Sequence, residues 1–261
     1  MPPPVLVLVV PCYNEAARLR PQAWLDFVAS HPSVSLMCID DGSGDGTFEL
    51  LERMRSASPG SIDVLRLSSH QGKAEAVRAG IVEALGRAPA LVGFWDADLS
   101  TPLAAVDDVL ALANRRPGMD LIIGSRVMLM GRDIRRLAWR HYLGRVFATL
   151  VSLALDLPVY DTQCGAKVFR ASPAIAAIFA SPFQSRWIFD VELLARYLAL
   201  PVEPGGAPRR ARIYELALPA WHHCPGSKLR WTDFVRSAFD LVRIWRVRAA
   251  RPGVANPESP R

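Results

Sequence analysis

The chain has 261 residues, of which 51% are hydrophobic and 21% are charged. These values predict a globular protein with a sizeable core and exclude wholesale disorder and coiled coil. Its uncharged stretches are shorter than the ~20 apolar residues of a membrane-spanning helix. Because the start, Met-Pro-Pro-Pro, has no basic region, we expect no signal peptide either. Four widely spaced cysteines without a Cys-x-x-Cys pair predict reduced thiols.

The net charge of +6 is distributed unevenly along the chain. Residues 1–124 carry 10 Lys+Arg and 15 Asp+Glu, whereas residues 125–261 carry 21 and 10. This excess of positive charge predicts an anionic partner for the second half, either nucleic acid, an acidic membrane surface or a substrate that bears phosphate.

Short apolar runs alternate with segments of helical periodicity in the first half. The runs predict strands over residues 5–10, 34–39, 62–67, 91–95 and 121–123. The segments between them predict helices over residues 15–29, 47–55, 73–86 and 102–114, the last capped by Ser100 or Thr101. This alternation predicts an α/β fold with a mostly parallel central sheet flanked by helices. In such sheets ligands bind at the carboxyl ends of the strands.

The candidate site residues follow the predicted strands at their carboxyl ends. They are Pro11, Tyr13, Asn14 and Glu15 after the first strand, Asp40 and Asp41 after the second, Asp96, Ala97 and Asp98 after the fourth, and Arg126 after the fifth. Any one of these acids is as readily a helix cap, but together they indicate a ligand site.

Asp96 and Asp98 are two residues apart, so in extended backbone both carboxylates face the same side. Two such charges repel each other unless a cation lies between them. A site with so few protein oxygens is typical of Mg²⁺ or Mn²⁺ shared with a diphosphate. The turn 42–46 lacks the third glycine of a dinucleotide fingerprint, and Gly72-Lys73 lacks the rest of a Walker loop.

The motifs Pro-Cys-Tyr-Asn-Glu, Asp-Asp-Gly-Ser, Gln-Gly-Lys and Asp-Ala-Asp, in this order, resemble glycosyltransferase family 2, which has the GT-A fold. In the second half, residues 161–169, 186–194, Trp221 and 226–228 resemble the dolichyl-phosphate glucosyltransferase branch of polyprenyl-phosphate hexosyltransferases. Two features depart from that branch. His223 stands where a glutamate is usual, and the N-terminal membrane helix of eukaryotic members is absent from this sequence.

The resemblance implies an inverting, metal-dependent transfer of a hexose, glucose from UDP-glucose, onto polyprenyl or dolichyl phosphate. Transfer from GDP-mannose is the alternative within the class, and a non-catalytic nucleotide-sugar binding protein is the alternative outside it. The resemblance assigns the nucleotide-sugar to Pro11, Tyr13, Asn14, Glu15, Asp40, Asp41, Lys73, Asp96, Ala97, Asp98, Trp187 and Lys228. It assigns metal binding to Asp96 and Asp98 and catalysis to Asp98, Arg126, Asp161 and Asp190.

Three of these residues are explained equally well by a structural role that involves no ligand. Lys73 is suited to a surface position at a helix start, Asp190 to a helix cap, and Trp187 to the core.

A phosphate acceptor requires positive charge more than a base, because a phosphate monoester is already largely dianionic at neutral pH. We therefore assign the acceptor phosphate to Arg126, Arg132, Arg136, Arg140 and Lys228. The spacing of Arg132, Arg136 and Arg140 predicts one stripe on a helix, which residues 146–155 continue as an apolar stretch. A solvated helix face is the alternative.

These inferences divide the chain into a GT-A domain (1–230), a C-terminal amphipathic helix (231–250) and a disordered tail (251–261). The helix either binds membrane or packs on the core. We expect a peripheral protein on the inner, cytoplasmic face of the cell membrane. We expect no nucleic-acid partner, because the basic half lacks a recognisable motif for one.

Overall fold

The computed structural model describes residues 5–135, 138–224 and 240–243, with the backbone alone at 138–141. The strands are β1 Leu6–Cys12, β2 Val34–Asp40, β3 Ile62–Arg66, β4 Leu91–Trp95, β5 Leu121–Ser125, β6 Asp133–Arg135, β7 Ala166–Arg170, β8 Ile213–Ala217 and β9 Ala220–His222. The helices are α1 Pro21–Ser30, α2 Thr47–Ala57, α3 Lys73–Leu85, α4 Ala105–Arg115, α5 Ala138–Leu155, α6 Pro173–Phe179 and α7 Phe189–Leu198, and Arg209–Arg212 form a 3₁₀ turn.

Seven strands form the central sheet in the order β3-β2-β1-β4-β7-β5-β8. All neighbours are parallel except β7, which runs antiparallel to both β4 and β5. The short strands β6 and β9 form a separate parallel pair. The predicted α/β fold with a mostly parallel sheet is confirmed.

A hydrophobic core lies on each face of the sheet, because the strand side chains alternate between the two faces. Trp24 and Phe27 of α1 pack on one face, together with α2 and α4. On the other face α3, α5, α6 and α7 cover residues such as Phe94 and Phe169. Burial on both faces explains why the strands read as continuous apolar runs in the sequence.

Two helices begin later than predicted. The first begins at Pro21, whose missing N–H suits the first helical position, and residues 15–20 precede it as turns. The fourth begins at Ala105 rather than at Pro102. There the amides of Ala105 and Val106 bond three residues back instead of four, so residues 102–104 form turns.

The prediction that Arg132, Arg136 and Arg140 form one stripe on a helix is wrong. Residues 133–135 form β6, which pairs with β9 and buries Ile134 opposite Trp221, so the helix begins only at Ala138. Arg132 therefore lies ahead of a strand and shares no helix face with Arg140, while Arg136 lies outside the described residues. The apolar stretch 146–155 does belong to that helix, α5, as predicted.

Only 240–243 of the predicted C-terminal helix are described, and they are helical. Leu241 is buried in the core beside α7, and Asp240 accepts a hydrogen bond of 2.6 Å from the hydroxyl of Ser185. The remaining residues of the predicted helix and the predicted tail 251–261 lie outside the described residues. None of the described helices is both long enough and apolar enough to span a bilayer.

Candidate active site

The carboxyl ends of β1, β2, β4 and β5 meet at one edge of the sheet, and the predicted site residues follow them. Directly after β4, the amide of Asp96 donates to the carbonyl of Gly165 at 3.1 Å. Two residues on, Asp98 Oδ1 accepts from the amide of Ser100 at 2.9 Å. Within the described part of the chain nothing donates to Asp98 Oδ2. Among the described residues, Asp98 Oδ2 is therefore an oxygen without a hydrogen-bond donor.

Lys73, the first residue of α3, points its ammonium into this edge. Its Nζ lies 2.5 Å from Asp96 Oδ1. Burial acts to lower the pKa of Lys73, but the charges of Asp96, Asp190 and Asp98 outweigh it and raise that pKa. Burial likewise acts to raise the pKa of Asp96, and Lys73, Lys167 and Arg126 hold it below its usual value. Both groups are therefore ionised at neutral pH, and Lys73 lies among the candidate site residues at this edge.

Gly165 packs directly against the carboxylate of Asp96. A Cβ on Gly165 would lie 1.8 Å from Asp96 Oδ2, which is far inside van der Waals contact. Only glycine at this position leaves room for Asp96 in its observed place. The loop before β7 thus determines where the carboxylate of Asp96, the residue after β4, can lie.

Arg126, which follows β5, forms a bidentate ion pair with Asp161. Its Nε lies 2.6 Å from Asp161 Oδ2 and its Nη2 lies 2.7 Å from Oδ1, while its backbone amide donates to Oδ2 at 3.1 Å. Burial acts to lower the pKa of Arg126, but Asp161 raises it. The guanidinium also lies over the ring of Trp221, at 5.3 Å from the ring centroid. The predicted catalytic residues Arg126 and Asp161 are thus brought together as one unit.

Glu215 on β8 holds the loop that carries Asp161. Its Oε1 accepts from the amide of Asp161 at 2.7 Å, and both of its oxygens accept from the amide of Tyr160 at 2.9 and 3.1 Å. Hydrogen bonds to a charged acceptor are the stronger kind. The position of Asp161 against Arg126 therefore depends on this neighbouring strand.

Asp190, in the first turn of α7, forms a buried ion pair with Lys167 of β7. Lys167 Nζ lies 2.5 Å from Asp190 Oδ1 and 2.6 Å from the carbonyl oxygen of Cys164. The ammonium also lies 5.2 Å from the centroid of the Phe94 ring. A buried charge without a partner is very costly, so neither group can be replaced without affecting the other. Asp190 is a predicted catalytic residue, and its Oδ1 is already engaged.

Two of the predicted nucleotide-binding residues, Tyr13 and Asp41, surround His70. The rings of Tyr13 and His70 stack with their centroids 3.6 Å apart. Asp41 Oδ2 lies 2.8 Å from His70 Nδ1, and its two oxygens accept from the amides of Gln71 and Gly72 at 2.8 Å each. Asp41 therefore holds the loop before α3, which in turn positions Lys73.

Asp40 and Asn14 tie the neighbouring loops together. Asp40 is fully buried, accepts from the amide of Ser43 at 3.2 Å, and has Arg66 Nε 3.1 Å from its Oδ2. Asn14 adopts a left-handed backbone (φ 51°) and exchanges hydrogen bonds with the 43–44 turn. Glu15 pairs with Arg18 and donates its amide to Thr47. These predicted residues lie together at the site edge, with side chains engaged in loop structure.

The remaining predicted residues lie in different environments. Pro11 lies within β1 and Ala97 is buried between the two aspartates. Trp187 is 38% exposed, so the alternative prediction that it lies in the hydrophobic core is wrong. Arg132 is exposed ahead of β6. Lys228 and Arg136, together with the side chain of Arg140, lie outside the described residues.

The donor atoms at the edge fit a hard divalent cation. Asp98 and Asp96 offer carboxylate oxygens, which Mg²⁺ and Mn²⁺ prefer. Throughout 5–135, 138–224 and 240–243, no three His, Cys, Asp or Glu side chains cluster as a closed metal site would require. A site made by one or two carboxylates is completed by substrate phosphates and water. The residues present are therefore suited to a cation that arrives with a diphosphate.

Comparison with known proteins identifies the family. The model of the family described as "Glycosyl transferase family 2" matches residues 7–176. The chain belongs to glycosyltransferase family 2. The recognition of this family from its motifs is thereby confirmed, and the chain is a glycosyltransferase.

Several curated relatives share one description. The chain is 33% identical over 257 residues to a dolichyl-phosphate beta-glucosyltransferase of Drosophila melanogaster, covering 92% of this chain and 74% of the relative. It is 32% identical over 258 residues to that of Dictyostelium discoideum, covering 92% and 73%. The branch resemblance in the second half is therefore confirmed as well.

Two solved structures of sugar-phosphoglycerate synthases show the same fold. Mannosyl-3-phosphoglycerate synthase from Rubrobacter xylanophilus superposes with a TM-score of 0.67 at 15% identity, covering 98% of this chain and 78% of that one. Glucosyl-3-phosphoglycerate synthase from Mycobacterium tuberculosis, crystallised with Mn²⁺, UDP and glucosyl-3-phosphoglycerate, superposes with 0.63 at 18% identity, covering 96% and 82%. At these identities the likeness establishes the GT-A fold alone.

Several site residues escaped the sequence analysis. Lys167 stands between Ala166 and the apolar pair Val168-Phe169 in a buried strand, and a charge in such a place signals a buried partner. Glu215 and His70 carried no comparable signal. Their roles arise from β8 lying beside β5 and from the loop before α3 folding over Asp41.

We predict that Gly165→Ala displaces Asp96 from Lys73. The added Cβ would occupy the place of Asp96 Oδ2. Charge-assisted contacts contribute about 1.5 to 3 kcal/mol each, so kcat/KM should fall about ten- to a hundredfold. The measurement is the release of nucleoside diphosphate from the donor. Gly118→Ala is the matched control, because no heavy atom lies within 4 Å of its added Cβ. Unchanged turnover in Gly165→Ala would show that the position of Asp96 is immaterial.

We predict that Glu215→Gln loosens the loop that presents Asp161. Glutamine offers one acceptor oxygen and turns an N–H toward the backbone amides of Tyr160 and Asp161. The free energy of unfolding should fall by about 1 to 3 kcal/mol, and kcat should fall with it. A double-mutant cycle with Asp161→Asn should show non-additive losses of kcat. Glu203→Gln, at an exposed position, is the control. Fully additive losses would contradict the coupling.

Proposed function

We propose that the protein transfers glucose from UDP-glucose to a polyprenyl or dolichyl phosphate, with inversion at the anomeric carbon. The observation that carries the proposal is the pair Asp96 and Asp98 beside Lys73, at the carboxyl edge of a family 2 fold. Relatives described as dolichyl-phosphate beta-glucosyltransferases support the choice of sugar and acceptor. A non-catalytic role is disfavoured, because Asp98 keeps a ligand oxygen that mere sugar binding does not require.

The acceptor phosphate is the nucleophile in this proposal. Its oxygen forms a bond to the anomeric carbon of glucose, while the bond from that carbon to the diphosphate oxygen breaks. The electron pair of the broken bond leaves with UDP. A dianionic phosphate has no proton to lose, so the step requires no general base. This agrees with the geometry of Asp190, whose Oδ1 is paired with Lys167.

The charge that builds on the departing UDP must be stabilised. Asp98 and Asp96 are the residues that would hold a Mg²⁺ or Mn²⁺ ion, which supplies Lewis-acid stabilisation of the diphosphate when bound. Lys73 neutralises Asp96 and holds its carboxylate in place. Fixed charges of this kind stabilise the transition state without reorganising during the reaction.

The nucleoside is proposed to bind beside the loops after β1 and β2. Pro11, Tyr13, Asn14, Glu15, Asp40 and Asp41 converge there, and they remain the proposed base and ribose pocket. Because Asp41 and Asp40 hold loops through their own hydrogen bonds, they contribute mainly by shaping this pocket. Tyr13 stacks on His70, so this pair of rings would form one wall of it.

The sugar is proposed to lie between the nucleotide and the second half of the chain. Asp190 has one oxygen on Lys167, and its Oδ2 is the atom we assign to a sugar hydroxyl. Asp161 acts by holding Arg126. Trp187, which is exposed just ahead of α7, is suited to cover a sugar ring.

The acceptor phosphate is proposed to meet Arg126, Arg132, Arg136, Arg140 and Lys228. Among the described residues, Arg126 follows β5, Arg132 precedes β6 and the backbone of Arg140 belongs to α5, so these three do not form one helical stripe. Arginine side chains suit a phosphate dianion. Because such an acceptor is a membrane lipid and nucleotide sugars are cytoplasmic, we propose a peripheral protein on the cytoplasmic face of the cell membrane.

We predict that Asp98→Asn abolishes glucose transfer and leaves the fold intact. The amide offers a weaker ligand to a divalent cation and removes one negative charge, so kcat should fall about a hundredfold or more. Transfer at limiting Mn²⁺ and the Tm are the two measurements. Asp108→Asn in α4, whose side chain is exposed, is the control. Near-normal transfer by Asp98→Asn at limiting metal would contradict the metal assignment.

We predict that UDP binds more tightly than GDP. The proposed donor is UDP-glucose, so the pocket should accept a pyrimidine base. Calorimetry with each nucleotide in the presence of Mn²⁺ measures the difference in affinity. An affinity at least about tenfold higher for UDP corresponds to about 1.4 kcal/mol. Tighter binding of GDP would instead support transfer of mannose.

A further inference from the structure

Lys73 and Asp96 form an ion pair that remains open to solvent. The Nζ of Lys73 lies 2.5 Å from Asp96 Oδ1, and the two side chains are 40% and 28% exposed. A ligand that enters this edge of the sheet can therefore reach both groups. Ion pairs with such exposure contribute little to stability, so this pair can open when another charged group arrives.

Both carboxylate oxygens of Asp96 are in contact with the protein while the pair is closed. Oδ1 is held by the ammonium of Lys73, and Oδ2 packs against Gly165, where an added Cβ would lie 1.8 Å from it. Asp98 differs, because its Oδ2 has no hydrogen-bond donor among the described residues. A divalent cation at this edge can therefore bind Asp98 directly, but at Asp96 it meets the ammonium of Lys73.

Lys73 differs from the other two cations that act on Asp96. Lys167 and Arg126 also lower the pKa of Asp96, but each is paired with the carboxylate of another residue. Lys73 is paired with Asp96 itself. Of these three cations it is therefore the one that competes with a metal ion for the same carboxylate, because like charges repel each other strongly at short range.

The backbone before Lys73 is anchored, whereas its long side chain can change partner. The amides of Gln71 and Gly72 donate to the two oxygens of Asp41, at 2.8 Å each, and Lys73 then begins α3. A lysine ammonium stands on a flexible four-carbon stem and binds phosphate as a point charge. The ammonium can therefore move from Asp96 to a phosphate oxygen while the loop stays in place.

We propose that Lys73 makes cation binding depend on the donor. Without a donor, its ammonium occupies Asp96 Oδ1 and opposes the binding of Mg²⁺ or Mn²⁺ at this edge. With a nucleoside diphosphate bound, the ammonium pairs with a phosphate oxygen and leaves Asp96 to the cation. This inference rests on the proposed function, in which Asp96 and Asp98 hold a cation that arrives with a diphosphate.

Removal of the ammonium distinguishes competition from positioning. If Lys73 competes with the cation, its removal strengthens cation binding in the absence of a donor. If Lys73 only holds Asp96 in place for the cation, its removal weakens that binding. Because the coupling between two ligands is reciprocal, removal of a competing Lys73 also reduces the factor by which UDP strengthens Mn²⁺ binding.

The test is Mn²⁺ binding to the full chain with and without UDP, followed by the electron paramagnetic resonance signal of free Mn²⁺. Lys73→Met should bind Mn²⁺ alone about tenfold more tightly than the wild type, and UDP should strengthen its Mn²⁺ binding by a factor about tenfold smaller. Lys73→Gln, a second neutral variant, should behave in the same way. Lys73→Arg keeps a cation and should bind Mn²⁺ alone as weakly as the wild type.

The matched control is Arg87→Met, which also removes one positive charge. Arg87 lies beyond the last residue of α3 and pairs with Asp63, so this variant should bind Mn²⁺ as the wild type does. The double variant Lys73→Met/Asp98→Asn should lose the gain, because Asp98 is the proposed ligand. A gain that survives in the double variant would place the ion elsewhere and overturn the proposal. Equal or weaker Mn²⁺ binding by both neutral variants would overturn it in favour of a positioning role.

Transfer assays separate this inference from the proposed function. If Lys73→Met gains Mn²⁺ affinity while the wild type transfers no glucose to a polyprenyl phosphate, the proposed function fails and the role of Lys73 stands. If GDP rather than UDP strengthens Mn²⁺ binding, the proposed donor fails and the role of Lys73 stands. If the wild type transfers glucose and Lys73→Met shows no gain, the function stands and the role of Lys73 fails.

Discussion

Pairing of charges at the carboxyl edge of the sheet is the constraint on which the rest of the site depends. Parallel strands bring their carboxyl ends together, and here those ends carry aspartates in a partly buried setting. Such carboxylates remain ionised only where a cation or several N–H donors lie close by. Lys73 meets Asp96, Arg126 meets Asp161, and backbone amides meet Asp41. Each of these contacts holds a loop or a helix end as well as a charge, so the protein's own side chains and amides position the candidate site.

The antiparallel strand β7 joins the two halves of the molecule at this edge. It is inserted between β4 and β5, and the loop before it places Gly165 against the carboxylate of Asp96. From within the strand, Lys167 reaches Asp190 at the start of α7. The second half of the chain therefore shapes the site built by the first half. Motifs far apart in the sequence are thereby brought to a single candidate site.

The unequal charge of the two halves has more than one structural meaning. Some cations of the second half are buried and paired, as Lys167 and Arg126 are, so they balance acids of the site rather than attract a partner. Others, such as Arg132, are exposed beside apolar surface. The net charge alone does not separate these two groups. Burial separates them, and only the exposed group is available to an anionic partner.

The sequence by itself determined the family, the fold class and the edge of the sheet at which the candidate site residues lie. Apolar runs and helical periods depend on local spacing, and the acids after each run needed only the general geometry of parallel sheets. The tertiary structure determined which side chains and amides contact one another. That Asp41 holds a loop and that Asp190 is paired with Lys167 depends on contacts between distant segments. No local pattern encodes such contacts.

The predicted arginine stripe also shows that a local pattern does not determine contacts between distant segments. Its four-residue spacing is typical of a helix, but Ile134 is buried opposite Trp221, and this pairing makes residues 133–135 a strand. Tertiary pairing overrides a local period when it buries an apolar side chain and satisfies backbone groups together. The apolar stretch 146–155 stayed helical because one of its sides packs on the core. Which of its sides faces outward was decided by that packing and by nothing within the stretch itself.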